Sequence, residues 1–309
     1  MERRNFIKNA VGSIALAGLG SAVTVAAHAR NAVSQNVSNK AKFTLKYAPT
    51  LEMFKENAGK DPVDNLKFIA DQGFRAAYDL GLISRPPEEQ EKIAGEALRL
   101  GLELGQFSLK TWNIPFVSDK PETKNLIKEK MLAGLEIQKR TGVNKALVVL
   151  GYVDPKLQIE YQTANVIENL RICCDIVGEH GLALVMEPLN TLVNHPGIFL
   201  SRTTQAKMIC VAVNHPSCKM VDDLYHQQVT EGNLISNMEA CWDYIGAIHI
   251  GDNPGRNEPT TGEINFKNIF RYLYDKKYNE VISCEHGQSK PGKEGELAII
   301  KAYREVDIV

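Results

Sequence analysis

The chain has 309 residues, 44% hydrophobic and 24% charged, enough for one large folded domain or two small ones with a full core. Its net charge of −1 leaves no basic excess, so no nucleic-acid partner is expected, because phosphate contacts need a positive stripe. None of the six cysteines forms a CxxC pair, which excludes zinc-ribbon and thioredoxin-like motifs and points to unpaired thiols.

The first 29 residues read as an export signal. Arg3-Arg4-Asn5-Phe6-Ile7-Lys8 precedes an uncharged Gly/Ala/Val-rich run from Val11 to Ala27, and Ala27-His28-Ala29 sets small residues at the −3 and −1 positions of a cleavage site. The pattern resembles a twin-arginine signal, whose partner is the twin-arginine export machinery. The run falls short of the ~20 residues that span a bilayer comfortably. The expectation is therefore a folded, exported, periplasmic protein cleaved after Ala29, with a polar linker over 30–40. An uncleaved anchor is the alternative.

From residue 41 to 309, short apolar runs alternate with longer amphipathic ones. In chain order the expected pairs are strand Phe43–Ala48 with helix Pro62–Gln72, Ala76–Leu80 with Pro87–Leu100, Glu103–Leu109 with Thr123–Thr141, and Lys145–Leu150 with Tyr161–His180. They continue with Ala183–Glu187 and Thr203–Val213, Cys218–Asp223 and Gly232–Trp242, Tyr244–Ile250 and Phe266–Lys276, then Val281–Glu285 and Glu294–Arg304. Several helices open on a start signal such as Asp61-Pro62 or Ser201, and others close at Gly101, Gly142 or Gly181. Repeated strand–helix units in a single domain predict an α/β fold, a (β/α)8 TIM barrel. A doubly wound open sheet is the rival, weakened because no GxGxxG loop follows the first strand.

In a barrel the chemistry sits at the C-terminal ends of the strands. Strand five ends Met186-Glu187-Pro188, strand six Val221-Asp222-Asp223, strand seven Ile248-His249, and strand eight Cys284-Glu285-His286. A single acid at a strand end is more commonly a cap or half of an ion pair, and a single His more commonly a hydrogen-bonded core residue. Four successive strands carrying Glu, Asp, His and Glu to one rim are harder to explain that way. Carboxylates gathered without a cation repel and raise one another's pKa values. A divalent metal removes the conflict, and this oxygen-rich set with one imidazole suits Mg2+, Mn2+ or Co2+ better than a thiolate-loving structural zinc.

Past His249 the chain runs Asp252-Asn253-Pro254-Gly255-Arg256-Asn257-Glu258-Pro259-Thr260-Thr261-Gly262-Glu263-Ile264-Asn265. A loop that only turns a corner does not need so many charges, whereas one that walls a site for a small anionic or polyol ligand does. Tyr47 and Trp112 could roof such a pocket or sit in the core. His195-Pro196 and His215-Pro216 read as turns, and Glu88 to Lys92 as a solvated helix start. No GxSxG elbow is present, so acyl-enzyme hydrolysis has little support.

Glu187-Pro188-Leu189-Asn190, Asp223-Leu224-Tyr225-His226, the Asp252-to-Asn265 segment and Cys284-Glu285 together resemble the motifs of the hydroxypyruvate isomerase family, within the xylose-isomerase-like TIM barrels. The resemblance covers most of residues 41–305. It implies a divalent metal held by Glu187, Asp223, His249 and Glu285, with Glu187 and Glu285 also serving as the acid/base pair. The activity implied is isomerisation of a hydroxy-keto acid or sugar through an enediolate. His226 would hydrogen-bond a substrate oxygen, Arg256 would hold a carboxylate or hydroxyl pair, and Glu258 would orient Arg256 or touch the substrate. The family's seventh-strand ligand is often Gln; His249 is closer to its epimerase relatives, so a ketose 3-epimerase is the alternative. Two other classes stay open, a metal-dependent nuclease and a non-catalytic periplasmic sugar-binding protein. The presence of both glutamates weighs against the second. A small sugar or keto acid is the expected partner, and the sequence leaves room for a homo-oligomer.

Overall fold

The computed structural model describes residues 40–308, so the expected export signal and all but the last residue of the expected linker lie outside the described residues. Nine strand segments run in chain order: β1 (Lys46–Ala48), β2 (Ala76–Ala77), β3 (Glu103–Leu104), β4 (Phe107–Ser108), β5 (Lys145–Val148), β6 (Ala183–Met186), β7 (Cys218–Asp223), β8 (Ile245–Ile250) and β9 (Val281–Cys284). They form seven-stranded and two-stranded parallel sheets, ordered β1-β9-β8-β7-β6-β5-β4 and β2-β3. A parallel bridge from Thr50 to Tyr78 joins the β1 side to the β2 side. Single bonds from Tyr78 N–H to Pro49 O and from Ser108 N–H to Leu80 O complete the ring. The third stave of the barrel is the β3–β4 pair, interrupted at Gly105-Gln106. A Cβ on Gly105 would come within 2.9 Å of the Tyr78 Cβ, so only glycine lets the stave cross there.

The helices are α1 (Lys55–Ala58), α2 (Pro62–Asp71), α3 (Pro87–Leu100), α4 (Pro121–Thr141), α5 (Ile159–Val177), α6 (Thr203–Val213), α7 (Leu224–Thr230), α8 (Leu234–Cys241), α9 (Phe266–Asp275) and α10 (Gly292–Val306). Their starts and stops follow local chemistry. Asp61 accepts from Val63 N–H ahead of Pro62, and the chain leaves α3 and α4 through left-handed Gly101 and Gly142. The large core lies between staves and helices, with Phe43, Tyr47, Phe270 and Tyr303 among its members. A smaller cluster of Leu147, Val149, Val185, Val221 and Ala247 comes from the opposite strand faces, and so fills the barrel interior.

Most strands are shorter than their apolar runs. Phe43 and Thr44 bond to Gly73 O and to the Asp307 carboxylate rather than to a neighbouring strand, which leaves β1 only Lys46–Ala48. Tyr47 lies in the core, its hydroxyl 3.1 Å from Asp307, and does not roof the site. The six cysteines are buried and unpaired.

Side chains alternate along each stave, so Asp222 faces away from Asp223, is only 2% exposed, and its Oδ2 has no hydrogen-bond partner. Burial, and then the charge of Asp223, push its carboxyl up to about 7. A folded-state value raised above the unfolded one means that this group's contribution to stability is present at low pH and lost as pH climbs towards about 7. Asp222→Asn is therefore expected to be more stable than the parent above that pH, by up to about 4 kcal/mol, with the advantage fading below pH 4. Urea denaturation at pH 4 and pH 8 reads the difference; an advantage independent of pH would contradict the assignment.

Candidate active site

Period-two alternation explains why four functional groups meet. Val185, Val221 and Ala247 point into the barrel, and two residues further on Glu187, Asp223 and His249 do the same. Glu285 stands two residues beyond Ser283, whose hydroxyl meets the Gln106 amide inside the barrel. The phase on β8 depends on a register shift: Met220 pairs with Ile245, but Val221 pairs with Ala247, leaving Gly246 as an extra residue. A side chain on Gly246 would meet Val185 Cγ1 at 2.7 Å. This bulge sets His249 directly opposite Asp223.

Glu187, Asp223, His249 and Glu285 each present one atom such that all four lie within 4.8 Å of one another. His249 Nδ1 is 2.5 Å from Glu285 Oε2, 3.2 Å from Glu187 Oε1 and 3.7 Å from Asp223 Oδ2. Despite these separations, Nδ1, Glu187 Oε1 and Glu285 Oε2 make no hydrogen bond of acceptable geometry. Arg256 Nη2 closes the open side, 3.3 Å from Asp223 Oδ2 and 3.5 Å from Glu285 Oε1, with its guanidinium over the Tyr225 ring.

The electrostatics are those of a compressed ion cluster. Burial, then the charge of Glu285, push the Glu187 carboxyl up to about 7. Burial acts the same way on Glu285, but His249 and Arg256 outweigh it and hold that carboxyl down at about 2. Burial would lower the His249 imidazole, yet the carboxylates of Glu285 and Glu187 raise it to about 10.

The remaining candidates divide. His226 is fully buried beside the cluster, and its backbone N–H donates to Asp223 Oδ1 at 2.8 Å. Asp223 thus caps α7 with one oxygen and turns the other toward His249 and Arg256. Glu258 has a different partner from the one expected: its two oxygens accept from the backbone N–H and hydroxyl of Ser289, so it ties the loop after β8 to the loop after β9. Asp252 is the hub of the long loop, accepting from Asn253, Gly262 and Ile264 N–H.

Several participants carry no assigned role in the sequence reading. Gln106 meets His249 Nε2 and Ser283, where a polar residue inside an apolar strand run was the only signal. His195 makes its expected turn, but its ring also lies between Trp112 and His226, with centroids 5.2 and 5.3 Å away. Asn190 grips His226 Nδ1. A cavity of about 630 Å³ reaches the cluster at Glu285 and Arg256, with Leu51, Tyr78, Asp79 and Arg85 also in its lining, a volume suited to a small organic molecule.

The chain belongs to the xylose isomerase-like TIM barrel family, whose model matches residues 66–305. Hydroxypyruvate isomerase of Escherichia coli is 31% identical over 166 residues, 54% of this chain and 64% of that protein. 2-Oxo-tetronate isomerase of Cupriavidus necator is 31% identical over 140 residues, 45% of this chain and 53% of that one. The chain thus spans less than two thirds of each of these relatives. Among solved structures, the 3-keto-D-glucoside 4-epimerase of E. coli superposes with a TM-score of 0.70 at 18% identity, covering 85% of this chain and 98% of that one. At that identity the likeness speaks for the fold alone.

Proposed function

We propose that the protein is a divalent-metal-dependent isomerase acting on a hydroxy-keto acid or a small sugar of the hydroxypyruvate type. One observation carries the reading: three carboxylates and an imidazole from four successive staves converge within 4.8 Å, and Glu187 Oε1, His249 Nδ1 and Glu285 Oε2 there are buried without a hydrogen-bond partner. Three oxygen ligands and one nitrogen fit Mg2+, Mn2+ or Co2+. Glu187, Asp223, His249 and Glu285 would hold the ion, and Gln106 would brace the far side of the His249 ring. When bound, the cation supplies Lewis-acid neutralisation of the charge that develops on the substrate oxygens, commonly several kcal/mol.

The chain's own groups do the rest. Glu187 and Glu285, on staves separated by β7 and β8, would take a proton from the carbon beside a carbonyl and return it. Arg256 offers its fork of donors to a carboxylate or a pair of hydroxyls. The names of the two relatives, both isomerases of short oxo acids, favour a keto acid. The seventh-stave His249 favours the second reading, an epimerase of ketoses. Export rests on Arg3-Arg4 and the run behind it, and on that basis the enzyme would work in the periplasm.

The test is proton NMR in D2O on the full chain with Mg2+ or Co2+, across hydroxypyruvate, four-carbon oxo acids and free ketoses. The expected result is metal-dependent deuterium incorporation beside the carbonyl. Products with a moved carbonyl indicate the isomerase, and inversion at one carbon indicates the epimerase. No exchange on any compound by folded, metal-bound protein would sink both readings in favour of a binding protein.

A further inference from the structure

His226 is wholly buried, and its Nε2 has no hydrogen-bond partner. Buried polar atoms are nearly always hydrogen-bonded, and the surroundings of this ring account for the exception. They lie in Asn190. The Oδ1 of Asn190 accepts from two backbone N–H groups, those of Val193 and Asn194, each at 3.0 Å. The amide can therefore present only its NH2 end to His226, and Nδ2 sits 2.7 Å from the imidazole Nδ1. The same Nδ2 donates to Asn194 Oδ1 at 2.8 Å, and that oxygen also accepts from the Tyr225 hydroxyl at 3.0 Å. The backbone N–H of Asn190 approaches Nδ1 as well, at 3.2 Å. An imidazole nitrogen that meets two donors must hold its lone pair towards them. The ring's single proton then belongs on Nε2.

We propose that Asn190 is a positioning residue that locks His226 in the Nε2–H tautomer and so makes it a fixed hydrogen-bond donor, not an acid or base. The ring stands between those of His195 and Tyr225, each with its centroid 5.3 Å away, and has Asp223 at its own backbone N–H. A donor there, free of any protein acceptor, is matched to a substrate oxygen that gains negative charge in the reaction. This catalytic consequence rests on the isomerase reading above; the tautomer lock does not.

The lock is tested first without any substrate. Full-length, metal-free protein labelled with 15N-histidine is examined by long-range 1H–15N correlation, with His226→Gln identifying the His226 signals. The expected spectrum has Nδ1 unprotonated and Nε2 protonated, with no tautomer mixture. Asn190→Asp keeps an oxygen for the Val193 and Asn194 N–H groups but sets a carboxylate against Nδ1, so a proton should appear there. If isomerisation is established, Asn190→Asp should lower kcat about 10²-fold while KM holds. His226→Gln, which retains a donor near the Nε2 position, should lose less kcat than His226→Phe. Protonated Nδ1 in the parent, a mixture of tautomers, or an unchanged His226 spectrum in Asn190→Asp overturns the lock. Equal loss in the Gln and Phe variants overturns the donor role. A locked spectrum in a protein that exchanges no substrate proton supports the lock and overturns the isomerase reading alone.

Discussion

Glu285→Gln is expected to lose proton exchange with solvent by about 10³-fold or more, at the upper end of what a positioned acid/base group contributes, while the barrel stays folded. The side chain is a quarter exposed and lines the cavity, which puts it within reach of a bound molecule. In the metal-free cluster its carboxyl is held low by His249 and Arg256 against the opposing effect of burial, so it is ionised across the neutral range. Gln preserves size and one oxygen but accepts no proton from carbon. Glu187→Gln should fail in the same assay, because a carbonyl shift needs a proton both removed and returned. Metal binding by each variant has to be measured alongside, since either glutamate also belongs to the four-residue cluster. Undiminished exchange in Glu285→Gln with metal bound would falsify the acid/base assignment. Thermal melting within a few degrees of the parent establishes that the loss is chemical and not structural.

The residues that would be mutated were legible in the sequence because they obey two short-range rules. Strands alternate, so an acid two positions beyond an inward Val points into the barrel, as Glu187 follows Val185 and Asp223 follows Val221. Regularly recurring strand–helix units imply the barrel itself, which brings the strand ends to one rim. What escaped depends on partners distant in the chain. Gln106 meets His249 across 143 positions, and Asn190 meets His226 across 36. Helix α7 carries no assignment in the sequence reading: it is a seven-residue helix whose N-cap, Asp223, is also the last residue of β7. The split of the third stave leaves no mark in the apolar run Glu103–Leu109, because Gly105 and Gln106 interrupt the ladder only through packing against Tyr78 and pairing with the eighth stave. Glu258 shows the converse: charge beside Arg256 in sequence suggested a pair, whereas the fold brings Ser289 closer to it.

Loading the site with a divalent cation is expected to release protons and to tighten as pH rises. In the metal-free cluster the His249 imidazole is raised to about 10 by the carboxylates around it, so at neutral pH an imidazolium supplies the positive charge among three acids. A metal ligand must be neutral imidazole or ionised carboxylate. Binding near pH 7 therefore displaces about one proton from His249, and a further fraction from Glu187, whose carboxyl sits at about 7. Each proton released makes affinity rise about tenfold per pH unit. Titration calorimetry with Mg2+ or Co2+ in two buffers of different ionisation enthalpy counts the protons directly; a dissociation constant unchanged between pH 6 and 8 would overturn this account of the cluster. The same charges govern stability. A His whose folded pKa is raised stabilises the fold below its ordinary value and loses that contribution as pH climbs through about 10, so metal-free protein should weaken in alkaline buffer. The cation removes this dependence by replacing the proton. At a hundredfold excess over its dissociation constant it adds about 2.7 kcal/mol, a rise in melting temperature of roughly 5–10 °C for a domain of this size. Chelation should abolish turnover and lower the melting temperature together, and re-adding the ion should restore both.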